Sequence, residues 1–115
     1  MSSFSLEEAV THLTQEGSRF ALTKAMVNGS SLPVFANAPH SLTDLLQQST
    51  AEFADRELLV FEDERLHYRE FSERVARFAQ VLREDFGICR GDRVAIAMRN
   101  YPEYVITLLA AASLG

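Results

Sequence analysis

Three features predict an α/β fold. An amphipathic helix pattern runs from Tyr68 to Phe86. A continuous apolar run follows at Val94 to Met98, and an Asn28-Gly29 pair separates two short β-prone stretches. Helical and strand periods that alternate along one chain require helices layered on a sheet. The expected order is helix, hairpin, helix, strand, strand, helix, strand, helix.

The elements follow from local chemistry. In the first, Phe4, Leu6, Ala9, Val10 and Leu13 recur at helical spacing, Ser5 and Glu8 form a capping-box pattern, and Gly17 ends the helix. A short, acidic helix of this kind suits docking on a protein surface better than anchoring in lipid. Arg19 to Val27 alternates as a strand, Asn28-Gly29 supplies the left-handed residues of a tight turn, and Leu32 to Phe35 returns. Pro33 assigns that return strand to a sheet edge or strand end. Asn37 to His40 is a connector.

Ser41 opens the second helix, with Asp44 at its third position and Leu42, Leu45, Leu46 and Phe53 as its stripe; Asp55-Arg56 breaks it. Leu58 to Phe61 is a strand, Glu62 to Arg65 a polar turn, and Leu66 begins the next element. Tyr68, Phe71, Val75, Phe78, Ala79, Leu82 and Phe86 share one face of the third helix. Gly87 stops it and Ile88 packs back over its last turn. The Val94 to Met98 run reads as a strand covered on both faces, as in a parallel sheet. Asn100 is the expected cap of the last helix, with Pro102 in its first turn. Val105 to Leu114 is apolar almost all round, which predicts deep burial. A chain closing on such a helix is expected to be the N-terminal piece of a larger domain.

Composition narrows the function. At 115 residues, 47% hydrophobic and 23% charged, the chain is of globular type and no longer than one domain. Eleven Lys and Arg against 16 Asp and Glu, with no basic block, argue against nucleic acid as a partner. One cysteine excludes an internal disulfide and a Cys-rich zinc site. No apolar run has the length of a membrane helix. The N-terminal residues lack the pattern of an export signal, so a cytoplasmic location is expected.

Residues with chemical potential have plainer structural readings. His12, His40 and His67 have no metal-ligand spacing. Asp85-Phe86-Gly87 matches a kinase magnesium motif by letter but sits at a helix end, where it reads as a stop signal. Cys89, near Arg90 and Arg93, lacks a partnering base and reads as a small buried residue. Glu62 to Glu64 reads as a solvated turn. The five glycines stand singly, so no phosphate loop is present. The assignment is therefore no catalytic, no cofactor-binding and no metal-binding residue.

Leu66-His67-Tyr68-Arg69-Glu70-Phe71 resembles the first core motif of the AMP-forming adenylating enzymes, usually Leu-Thr-Tyr-x-Glu-Leu. Gly91-Asp92-Arg93-Val94-Ala95-Ile96, Asn100-Tyr101-Pro102-Glu103 and Ala111-Ala112-Ser113-Leu114-Gly115 continue that resemblance in order, and Asp55-Arg56 ahead of Leu59-Val60 also fits. Val34-Phe35-Ala36-Asn37-Ala38-Pro39 looks like bacterial acyl-CoA synthetases. His67 departs from the usual Thr, a better helix cap, and Phe71 from the usual Leu.

The resemblance implies an enzyme that uses ATP and magnesium to turn a carboxylic acid into an acyl-adenylate, releasing pyrophosphate. Transfer to coenzyme A follows in an acyl-CoA synthetase. It also implies that the phosphate loop, the adenine contacts and a C-terminal lysine lie downstream of Gly115. Residues 1–40 are then a helix and hairpin extension, and 41–115 the start of the layered N-terminal AMP-binding domain. Fatty acids are the expected substrates. An aryl-acid ligase, a peptide-synthetase adenylation domain or a stand-alone binding module would share these motifs. The isolated chain is expected to bind none of the cofactors, to be inactive, and to self-associate through uncovered apolar faces.

Overall fold

A computed structural model describes residues 5–115. Phe4, assigned above to the first apolar stripe, lies outside the described residues. The chain forms two compact units, Met1–Pro39 and His40–Gly115.

The first unit holds α1 (Leu6–Thr14) and a hairpin of β1 (Leu22–Val27) and β2 (Ser30–Phe35). The capping box is present. The Ser5 hydroxyl accepts from the Glu8 N–H at 3.2 Å, and the Glu8 carboxylate accepts from the Ser5 N–H at 2.9 Å. These two bonds, the backbone one first, hold the Glu8 carboxyl below its ordinary value. The expectation of a docked helix is not met, because α1 buries none of its residues. In the hairpin, Val27 pairs with Ser30 across a two-residue turn, and Asn28 and Gly29 both take positive φ, 48° and 83°. A turn with two left-handed residues matches the twist of the strands it joins. Pro33 sits opposite Lys24 in a ladder of two strands, where its missing N–H costs no interior bond. β1 begins at Leu22 rather than Arg19; Ala21 is the one buried residue among the described residues of this unit.

The second unit runs α2 (Leu42–Phe53), β3 (Glu57–Phe61), β4 (Glu64–His67), α3 (Tyr68–Glu84) and α4 (Pro102–Ser113). Ser41 caps α2 by accepting from the Asp44 N–H at 3.0 Å. β3 and β4 are antiparallel and join through Glu62-Asp63, with Phe61 opposite Glu64. Leu66, Phe71, Val75, Ala79 and Leu82 meet Ile106 and Ala110 of α4 to form one core. Ile88 packs on that core, and its N–H bonds to the Leu82 carbonyl at 3.0 Å where Gly87 turns left-handed at φ 67°.

Four expectations change. Phe86 lies beyond the end of α3 and is 70% exposed, so the stripe stops at Leu82. Val94 to Met98 is not a ladder strand, because residues 93–98 make no backbone–backbone hydrogen bond among the described residues. Its burial nonetheless alternates: Val94 and Ile96 are half-buried, Ala95 and Ala97 exposed. Both ladders are antiparallel pairs of two strands, so the parallel sheet has no members among the described residues. The cap of α4 is Tyr101 rather than Asn100, with Pro102 at the first helical position. Finally, α4 buries only Pro102, Ile106 and Ala110, and Leu108 stays 43% exposed. α3 packs along one side of it and α2 meets it more lightly, which leaves an outer face with Leu108 and Ala112 exposed.

Candidate functional site

The strand-to-helix junction at Leu66 to Phe71 explains its own residue types. Leu66 and Phe71 are the most buried large side chains, 2% and 1% exposed, and they seat β4 and α3 in the core. The Tyr68 ring lies 5.9 Å from that of Phe53 at the end of α2. The backbone then locks the two segments together. Tyr68 N–H donates to the Arg56 carbonyl, Arg69 N–H donates to the Ala54 carbonyl, both at 3.1 Å, and the Arg69 guanidinium meets Asp55 at 3.0 Å. Glu70 closes the helix end. Its carboxylate accepts from the His67 N–H at 3.4 Å and stands 3.4 Å from His67 Nδ1. The His67 backbone, then the His67 ring, holds the Glu70 carboxyl below its usual value, with burial opposing weakly.

The Gly91-Asp92 turn is likewise built for connection. Asp92 Oδ2 accepts from the Cys89 N–H at 2.8 Å. Gly91 has φ 92° and donates its N–H to the Gly115 carbonyl at 3.0 Å, which ties this turn to the end of α4. Gly115 has φ 97°, and a Cβ there would come within 2.7 Å of Arg90 Cγ, so only glycine fits without movement. Two motifs far apart in sequence thus meet as one structural clamp.

An open apolar groove of about 450 Å³ lies between α2, β3, α3 and α4. Leu42, Leu45, Leu58 and Leu109 are among its walls, and Ser49 and Tyr68 bring the only hydroxyls. It contains no carboxylate, imidazole or amine. A smaller hollow, about 240 Å³, is bounded by Ala54, Asp55, His67, Arg69 and Glu70. Its charged groups are already engaged with each other as described.

The other singled-out residues fall at separate places. His12 lies on exposed α1 and His40 on an exposed connector. Asp85 is the C-cap of α3, its N–H bonded to the Val81 carbonyl at 2.9 Å. Glu64 pairs with Arg74 at 2.9 Å, while Glu62 and Asp63 form the turn. Cys89 is exposed rather than buried, and its thiol donates to the Gly87 carbonyl at 3.3 Å. The buried reading failed because the polypeptide leaves the core after Ile88. Among the described residues no three His, Cys, Asp or Glu converge as a metal donor set. The single glycines sit at separate positions rather than in one cradle.

A hairpin leading into a core helix, tied to a second helix by a Gly-Asp turn, defines the opening layer of an α/β adenylate-forming domain. The chain belongs to the AMP-binding enzyme family, whose model matches residues 46–115. It is 36% identical over 75 residues to a long-chain-fatty-acid–CoA ligase of Escherichia coli, covering 65% of this chain and 13% of that protein. A medium/long-chain-fatty-acid–CoA ligase of Mycobacterium tuberculosis is 34% identical over 95 residues, covering 81% of this chain and 16% of the relative. The N-terminal subdomain of NpsA from Klebsiella oxytoca has the same fold, with TM-score 0.62 and 32% identity over 65% of this chain and 19% of that one. The same values of score and identity hold for NpsA in an artificially fused adenylation–PCP di-domain. The chain therefore spans a small part of the length of these proteins.

Proposed function

We propose that this chain is the N-terminal part of an ATP-dependent, AMP-forming acyl-CoA synthetase acting on fatty acids, and that it serves as scaffold rather than catalyst. Fatty acid, ATP and coenzyme A are then converted to acyl-CoA, AMP and pyrophosphate by the whole enzyme. The observation that carries this reading is the family match over residues 46–115 together with fatty-acid–CoA ligases as relatives. Residues 1–40 are the extension and 41–115 the start of the AMP-binding domain. The groove and the unpaired 93–98 segment are the faces on which the rest of such a domain packs. The cytoplasm is the compartment we propose for it. Among the described residues no helix is long and apolar enough to cross a membrane.

Calorimetry of the 115-residue chain with ATP and magnesium, beside a pyrophosphate-release assay with a fatty acid, tests the scaffold role. Neither heat of binding nor pyrophosphate is expected; specific micromolar binding of ATP overturns it. The likeness to NpsA favours one second reading, an adenylation domain that loads a carrier protein. Pyrophosphate exchange by the complete enzyme separates the two, because fatty acids support it in the first and amino or aryl acids in the second.

Self-association of the isolated chain belongs to the same proposal. Exposing three large apolar side chains that a complete domain covers forfeits roughly 5–9 kcal/mol of burial, comparable with the whole stability of a typical domain. Sedimentation velocity over a hundredfold concentration range is expected to show a rising average coefficient. A concentration-independent monomer with a sharp melt above about 60 °C favours a self-sufficient module instead.

A further inference from the structure

We draw no further inference here: the strongest candidate, the open apolar groove between α2, β3, α3 and α4, is an unpartnered face, and nothing in the structure shows what covers it.

Discussion

His67 stands at the head of α3, where Ser5 and Ser41 head α1 and α2. The two serines bond a first-turn N–H; the His67 imidazole faces the Glu70 N–H in a capping-box arrangement but forms no hydrogen bond of the same quality. His67→Thr supplies a hydroxyl acceptor and is expected to raise stability by about 0.5–1 kcal/mol at pH 8. Urea midpoints at pH 8 check this; an unchanged midpoint means the hydroxyl adds nothing at this helix end.

Glu70 governs the more acidic range. A carboxyl held low in the folded state stabilises above the unfolded value of about pH 4.3. That contribution fades as pH falls through the lower folded value. Glu70→Gln should therefore differ most from the native chain at neutral pH and converge with it only as acid protonates the lowered carboxyl. A stability difference that persists unchanged into acid would point to packing rather than charge.

Among elements, α3 separates what spacing reveals from what it hides. Phe71 and Phe86 fall on the same helical face by position, yet one is 1% and the other 70% exposed. Gly87 and the Asp85 cap end the helix before Phe86 can turn inward. Phe71→Ala should cost about 3–5 kcal/mol and leave little folded second unit. Phe86→Ala should change the unfolding free energy by less than about 0.5 kcal/mol. Equal losses would show that the stripe extends to Phe86 in solution.

The two hairpins make the same point about turns. Asn28-Gly29 announces its hairpin because both residue types tolerate positive φ. Glu62-Asp63 does not. Glu62 carries a φ of 50° in a residue type that seldom adopts it, so β4 starts at Glu64, ahead of the expected Leu66.

At the scale of the molecule, the motifs were legible because they encode packing within this chain. Leu66, Tyr68, Glu70 and Phe71 act on neighbours only a few residues or one helix away. The environment of α4 and of Val94 to Met98 was not legible. Their apolar character reports a fully layered domain, whereas here only α3 and, more lightly, α2 pack on α4. The groove escaped for a related reason: its walls are ordinary helix-stripe leucines, and no local signal distinguishes a covered stripe from an open one. Stability should also be uneven. The first unit has Ala21 as its buried residue among those described, while α3 alone buries four. An isolated two-stranded hairpin is marginal in water. Amides of β1 and β2 should exchange with deuterium within seconds, and those of Val75 to Leu82 at least a hundredfold more slowly. Comparable protection in both units would indicate that the hairpin is held by more than its own ladder.

The unpaired stretch from Val94 to Met98 has a consequence for handling the protein. Five apolar residues without charge, proline or glycine, their main-chain groups unengaged, are the kind of segment that seeds cross-β fibrils. Arg93 and Arg99 flank it on either side and act as gatekeepers, since stacking identical chains would line up their charges. Removing both in Arg93→Ser/Arg99→Ser should shorten the lag of thioflavin fluorescence several-fold at equal concentration. An unchanged lag would mean that the half-burial of Val94 and Ile96, which face α4 across a shared hollow, keeps the segment out of reach even with its hydrogen-bonding groups free.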